Sequence, residues 1–263
     1  MIKMFRYDSN DAYWDKRWDS AGVDQSRFKN LDIYPIRYCK HLDSDSGSIL
    51  EAGCGNGRVY FHLDQDRADV YGLEYSAGAL DLIKHQDPSA RILQGSITHL
   101  PYQSSSFDYL LAFGLFHNIE DTSALQTAFQ EAARVLKPGG KMIFSVRFHS
   151  LENRLIEWIV RSRNKGKVPN QFHRWHFEHE DILKFLGNDF SIVHRKYARN
   201  VPFLFKFDFM RHRDFKKGVM QESRARSEGF RLNGPASFLD LLLHGLFPAQ
   251  FSNLMIYEVQ KNR

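Results

Sequence analysis

The hydrophobic pattern of the chain changes character near residue 48. Residues 10–45 mix polar and aromatic positions and read as helices and loops, with Trp14 and Trp18 sharing one helical face at a spacing of four. Asp43 to Gly47 is a turn cluster. From there on, short apolar runs alternate with amphipathic stretches. The runs 48–52, 69–73, 90–94, 107–113 and 141–147 predict strands. Between them the pattern predicts a helix from Arg58, a second helix N-capped by Ser76 and stopped by Asp87-Pro88, and a third over about 123–136. Lys137-Pro138-Gly139-Gly140 reads as a turn. Strands and helices alternating at this spacing imply βαβ units and a parallel sheet, whose ligands bind at the carboxyl ends of the strands.

The second half is less regular. Residues 151–166 form a basic amphipathic stretch, 178–186 a helix, and 190–197 and 254–260 the last two strands. About fifty residues separate those two strands, too many for a plain hairpin loop, so the intervening segment is expected to be a lid. The chain therefore divides into an N-terminal helical lid (1–47), an α/β core (48–199) with a basic insertion (151–175), a cap (200–252) and a final core strand (253–263). The cap holds nine of the 22 Phe. Phe203 to Phe209 alternate as on a strand face, and Leu239, Leu242, Leu243 and Leu246 recur at helical spacing. These apolar faces either pack the cap onto the core or line an apolar pocket.

Composition narrows the class. At 43% hydrophobic and 25% charged residues over 263, the chain is an ordinary globular protein able to bury a core without staples. Two cysteines, Cys39 and Cys54, make no disulfide framework, and the polar N-terminus lacks the apolar segment of a signal peptide, so a cytoplasmic location is expected. No apolar run reaches the length of a membrane span. Net charge is +5, but unevenly placed. Six Lys/Arg face two Glu between 151 and 175, and eight face four acids between 200 and 233, which leaves the rest of the chain net negative. These basic residues are either a solvated face or a site for an anionic partner such as a carboxylate or phosphate.

The chemistry is concentrated after the first strand, in Ile49-Leu50-Glu51-Ala52-Gly53-Cys54-Gly55-Asn56-Gly57-Arg58. Glycines there permit a tight turn and close approach of a ligand to the backbone. Their positions, 53, 55 and 57, depart from the dinucleotide G-x-G-x-x-G spacing by one residue. Glu74 closes the second strand, where a carboxylate can accept hydrogen bonds from both hydroxyls of a ribose, or serve as an acid at a helix N-terminus.

Five segments in order resemble the class I S-adenosylmethionine (SAM)-dependent methyltransferases, most closely the small-molecule group called methyltransferase type 11. They are Leu50 to Arg58, Gly72-Leu73-Glu74-Tyr75-Ser76, Gln94 to Tyr102, Phe107-Asp108, and Glu131 to Lys141. The resemblance implies an α/β fold with a Rossmann-like, seven-stranded, mostly parallel sheet, helices on both faces and an α-rich cap insertion. It implies S-adenosyl-L-methionine as cofactor. Glu51, Gly53 and Gly55 would line its methionine part, Glu74 would bind the ribose, and Tyr75, Ser96 and Ile97 would flank the adenine. Phe113 and Gly114 would offer backbone groups to its amino end. The family usually carries an acid where Ser96 stands; a Ser hydroxyl can accept the same bond more weakly.

His117, after the fourth strand, is the candidate catalytic residue beside the transferred methyl, because an imidazole titrates near neutrality; packing beneath the cofactor is the alternative. His173, His176 and His179 recur every third residue, and a loop entering a helix suits them better than a metal site, so no metal is expected. Trp14, His173 and His176 are candidate acceptor-binding residues. The expected activity is methyl transfer to a small or amphiphilic acceptor, with an anionic one admitted by the basic segments and an oxygen nucleophile favoured. The alternatives are a nucleic-acid methyltransferase, supported by the basic aromatic cap but lacking the Asp/Asn-Pro-Pro-Tyr motif after strand four, and a catalytically silent binding protein of the same fold.

Overall fold

The computed structural model describes residues 1–6, 32, 34–43, 46–63, 69–163, 170–218, 225 and 228–263. Nine strands form two sheets among these residues: β1 (Ile2–Arg6), β2 (Ser48–Ala52), β3 (Asp69–Glu74), β4 (Ile92–Gln94), β5 (Phe107–Phe113), β6 (Leu136–Val146), β7 (Gln171–His176), β8 (Phe190–Ala198) and β9 (Leu254–Lys261). The α-helices are α1 (Ala77–Gln86), α2 (Thr122–Val135), α3 (Leu151–Arg163), α4 (His179–Leu186) and α5 (Gly234–Leu246). The main sheet has seven strands in the order β4-β3-β2-β5-β6-β9-β8. The first five run parallel, and β9 lies antiparallel to both β6 and β8.

The strand pattern explains why the sheet is buried on both sides. Leu50 and Ala52, Leu110 and Ala112, Met142, Phe144 and Val146, and Met255, Tyr257 and Val259 face one core with α2 and α4. The residues between them, Ile49, Leu111, Ile143, Leu254 and Ile256, face a second core with Ile83 of α1 and with Cys39 and Leu42. Period-two alternation between two apolar layers is what a covered parallel sheet requires. Helix ends follow local chemistry. The Ser76 hydroxyl accepts from the Ala79 N–H at 3.4 Å, and Asp121 accepts from Ser123 and Ala124 at the start of α2.

The loop after β4, the start of β2 and the exit of α2 also interlock. Glu131 and Arg134 on α2 pair at 2.6 Å, and Arg134 donates to the carbonyls of Tyr102 and Leu100 while Glu131 accepts from the Leu100 N–H. This clamps the loop after β4. Asp108 accepts from the Ser48 N–H at 2.9 Å and from Lys137 Nζ at 2.7 Å, tying β5 to the start of β2 and to α2's exit.

Four expected local structures differ. The helix expected from Arg58 is a run of turns over 55–62, with bonds of mixed length such as Gly57 N to Cys54 O and Phe61 N to Gly57 O. The Tyr60 N–H goes to the Glu51 carboxylate, which takes a donor out of a helical ladder. The Lys137–Gly140 turn lies inside the bounds of β6 as an irregularity: Phe107 pairs with Leu136, and Tyr109 with Lys141. The strand expected over 203–209 is two 3-10 turns, Phe203–Lys206 and Asp208–Met210, entered at Pro202, whose carbonyl accepts from the Phe205 N–H. Leu204 and Phe205 are both buried there, which no strand alternation allows.

The N-terminal segment, expected as a helical lid, instead opens with a strand. β1 pairs antiparallel with β7 in a separate two-stranded ribbon, Ile2 opposite His176 and Arg6 opposite Gln171. A register shift at Met4/Phe5 leaves His173 without an opposite residue, as in a β-bulge. Trp14 and Trp18 lie outside the described residues. In the cap, Leu204, Phe205, Phe215, Leu232 and Ala236 cluster with Phe203 and Phe230 into a small core of their own. Glu152 of α3 fastens the cap, accepting from the Phe203 N–H at 2.9 Å and from Asn253 Nδ2 at 3.2 Å.

Candidate functional site

The glycine loop leaves β2 with three residues in left-handed backbone: φ is +74° at Gly53, +53° at Gly55 and +79° at Gly57. A Cβ at Gly57 would lie 2.8 Å from the Phe61 ring, and one at Gly53 would lie 3.1 Å from Leu115. Glycine is thus required by conformation and by space. The N–H groups of Gly53 and Cys54 both donate to the Leu73 carbonyl, and the Gly55 N–H donates to Glu74 Oε2 at 2.9 Å. The other Glu74 oxygen accepts from Tyr75 and Ser76 at 2.9 and 3.0 Å. A carboxylate offers about four lone-pair directions, so Glu74 organises the loop and still has acceptor capacity. Tyr75, beside it, is 71% exposed, a free aromatic face at the sheet edge.

Glu51 ends β2 and is buried, with Oε2 lacking any hydrogen-bond partner. Burial raises its carboxyl well above the usual range; the Tyr60 N–H opposes this and the Glu74 charge adds to it. Ser96 shares a 2.8 Å hydrogen bond with Thr98 Oγ1 and accepts from the Thr98 N–H, so its hydroxyl is partly committed. The Ile97 side chain belongs to the core, which leaves only its backbone at the loop. Phe113 ends β5 and packs edge-on against Tyr34. The Gly114 N–H donates to Ser145 Oγ at 2.8 Å and its carbonyl accepts from Asn118 Nδ2, so the carbonyl's second lone pair is what it offers a ligand.

Two residues at this edge were not singled out by the sequence. Tyr34 reaches Ser145 through its hydroxyl at 2.7 Å, and burial pushes that phenol up to about 12. Ser145 sits in β6 opposite Phe113. Neither lies in a motif; only the alternation of β6, which points Ser145 into a buried layer, carried a signal.

His117 lies in the 3-10 turn Phe116–Asn118, buried, with Nδ1 lacking a partner. Burial, then the charges of Arg147 and Arg174, hold it far below the usual histidine value. The same causes, led by burial, push His173 and His176 down to about 2. The structure therefore gathers His117, His173, His176, Arg147 and Arg174 at one edge, with the three imidazoles neutral. His179 is apart from them: its ring bonds Tyr257 Oη at 3.0 Å and stacks on it. No three His, Cys, Asp or Glu side chains among the described residues converge as a metal site.

A glycine loop after the first core strand, an acid ending the second and a seven-stranded sheet closed by an antiparallel strand make up a Rossmann-like α/β core similar to that of the SAM-dependent methyltransferases. Residues 50–144 match the family model of a type 11 methyltransferase domain. Over 126 residues it is 31% identical to the demethylmenaquinone methyltransferase of Lactococcus lactis subsp. lactis, covering 44% of this chain and 48% of that one. Over 177 residues it is 27% identical to the ubiquinone biosynthesis O-methyltransferase of Idiomarina loihiensis, covering 64% and 68%. The chain spans about half the length of several curated relatives it matches. A crystal structure of a SAM-dependent methyltransferase from Methanosarcina mazei shares the fold, with a TM-score of 0.57 at 17% identity over 88% of this chain and 99% of that one.

The residues present fit the family's cofactor. The buried, unmet oxygen of Glu51 suits a cationic ligand, the left-handed glycines allow backbone approach, and Tyr75 offers a ring face. A proton linkage is expected from this. Glu51 holds a proton in the folded protein at pH values where an unfolded carboxyl has lost it. Its contribution to stability therefore falls as pH rises above the ordinary 4.5 towards the raised value. A bound cation favours the ionised form, so SAM binding should release a proton and tighten with rising pH through this window. Titrations in two buffers of different ionisation heat measure the release, and Glu51→Gln should abolish it. Equal heats in both buffers for the wild type would contradict the assignment.

Proposed function

We propose that this protein transfers the methyl group of SAM to a small or amphiphilic acceptor, with an oxygen as the favoured nucleophile. The observation that carries the reading is the cradle formed by the left-handed glycines, the loop-bound Glu74 and the unmet Glu51 oxygen. The relatives named as a demethylmenaquinone methyltransferase and a ubiquinone biosynthesis O-methyltransferase support a small-molecule acceptor.

When bound, the cofactor supplies an electrophilic methyl on a sulphonium, and the protein supplies position and electrostatics. Glu74 would take the ribose hydroxyls, Tyr75 and the 96–97 loop the adenine, and Glu51 with the Gly114 carbonyl the amino end. That methyl would be open to in-line displacement by an acceptor oxygen, with the carbon–sulphur electron pair left on sulphur, and the chain's own task would be to orient the oxygen and let its proton leave. His117, neutral and with an unpartnered Nδ1, is the proposed hydrogen-bond acceptor for that hydroxyl; burial and the Arg147 and Arg174 charges make it too weak a base to keep the proton, which passes on to solvent. His176 and His173 would help position the acceptor. In the described residues no helix is long and apolar enough to cross a membrane.

Calorimetric titration with SAM, with its demethylated product S-adenosylhomocysteine and with NAD tests the reading. Binding of the first two with dissociation constants on the order of micromolar, and none of NAD, is the expected result. Folded protein that binds neither adenosyl compound would overturn it.

A further inference from the structure

The cap ends in a helix whose polarity is reversed. α5 is opened by Asn233, whose side chain accepts from the Ala236 N–H at 3.0 Å. Its two titratable residues face the protein: Asp240 pairs with Arg199 after β8, and His244 Nδ1 shares a 2.8 Å hydrogen bond with Ser252 Oγ. Four residues apart, they mark one face of the helix. Of the whole helix only Ala236 enters the cap's core. The leucine repeat does not pack the cap onto the sheet: Leu239, Leu242 and Leu246 are exposed, and Leu243 alone is half-buried. Phe238, Leu241 and Leu246 are 65%, 67% and 67% exposed, and Phe247 after the helix is exposed too. A surface helix ordinarily turns its apolar stripe to the core and its polar residues to water. A contiguous apolar face with a polar rim marks an interaction site.

The rim favours one kind of partner. Residues 210–212 run beside 231–233, the lead-in to α5: Arg211 bridges Leu232, and the Asn233 N–H donates to the Met210 carbonyl at 2.9 Å. That brings Arg213, Lys216, Lys217 and Arg231, all exposed, to the N-terminal end of the helix. Phe209, 68% exposed, is held at the same end, its carbonyl accepting from Asn233 Nδ2 at 2.7 Å. The described acids of this segment are engaged locally, Asp214 with His212 and Arg213, and Asp208 with Arg211. Residues 200–233 carry eight Lys/Arg against four acids. Apolar side chains edged by cations match an anionic lipid surface, where rings and leucines enter the acyl boundary and the cations meet phosphates. A second copy of the chain fits worse, because a two-fold contact through this face would bring two basic rims to one interface. With 13 residues α5 is too short to cross a bilayer and would lie along its surface.

We infer that the outward face of α5 is a membrane-docking surface, which seats the cap on a lipid surface bearing anionic headgroups. The surface stands apart from the proposed methyl transfer, and neither depends on the other.

Co-sedimentation of the purified full chain with vesicles tests it, using phosphatidylcholine alone and equal parts of phosphatidylcholine and phosphatidylglycerol. The mixed vesicles should bind the protein about tenfold or more tightly, and added salt should weaken that binding. Phe238→Ser and Leu241→Ser should each weaken it by about fivefold or more, because less apolar area is buried. Replacing Lys216 and Lys217 together by Gln should reduce the preference for mixed vesicles by about fivefold or more. Leu183→Ser, which removes an exposed leucine from α4, should change nothing. The substituted side chains are exposed, so the variants should keep the fold, which circular dichroism reports, and two apolar variants guard against one failing. No binding to the mixed vesicles, equal binding to both kinds, unchanged binding by Phe238→Ser and Leu241→Ser, or an equal loss in Leu183→Ser overturns the inference. So does a dimer in sedimentation velocity that Leu241→Ser splits, which gives the face to a second copy. S-adenosylhomocysteine titrated into the same preparations keeps the two readings separate. Failure to bind it removes the methyltransferase reading and leaves the surface, and failure to bind vesicles does the reverse.

Discussion

Glu74→Ala is expected to weaken SAM binding by about ten- to a hundredfold, because a charged acceptor contributes roughly 1.5–3 kcal/mol to such bonds. Two effects combine. The ribose hydroxyls lose their carboxylate, and the loop loses its anchor. In the folded protein Glu74 accepts from Gly55, Tyr75 and Ser76, so its removal frees the backbone that shapes the cradle. Glu74→Gln separates the two. It keeps an oxygen that can accept from Gly55 or from Tyr75 and Ser76, but it lacks the charge and the second acceptor. Its loss should fall between wild type and Glu74→Ala. Calorimetry on variants of matched thermal stability reads the difference, and unchanged affinity in Glu74→Ala would remove Glu74 from the site.

The largest expected loss of stability comes from the opposite side of the sheet. Phe144 is fully buried in β6, stacked on Tyr257 with ring centroids 5.1 Å apart and edge-on to Phe116 and Phe129 at 5.4 and 5.6 Å. Phe144→Ala should cost about 3–5 kcal/mol, since the lost transfer free energy adds to a cavity that the three remaining rings cannot close. Urea unfolding should show a lower midpoint with an unchanged slope. A cost under about 1 kcal/mol would mean that these rings repack freely. Phe144 neighbours Ser145, so the same substitution should also loosen the edge where Ser145 holds Gly114. Its binding of SAM is expected to fall well before its fold is lost.

Much of the core was readable without coordinates because its signals are local. The apolar runs of β2, β3 and β5 sit where their periodicity places them, and Ser76 caps α1 as its hydroxyl and position require. The glycine loop announced itself because three left-handed positions need glycine. Other features were hidden because their partners are distant in sequence. Five residues, Ile2–Arg6, cannot declare themselves a strand when their pairing partner lies some 170 positions away. Tyr34 carries no motif, yet its hydroxyl meets Ser145 beneath Gly114. The Phe203–Phe209 alternation misled because Pro202 starts a 3-10 ladder and the rings found partners inside the cap.

What the sequence determined by itself is the βαβ core and the glycine loop that leaves its first strand, since strand alternation, helix caps and left-handed glycines act within a few residues of one another. The tertiary structure alone decided that α5 turns Asp240 and His244 inward and its apolar residues out, and that His117, His173 and His176 stay neutral beside Arg147 and Arg174. Charge and burial are properties of what surrounds a residue, and those surroundings come together only when β1, β6, β7 and the cap fold against each other.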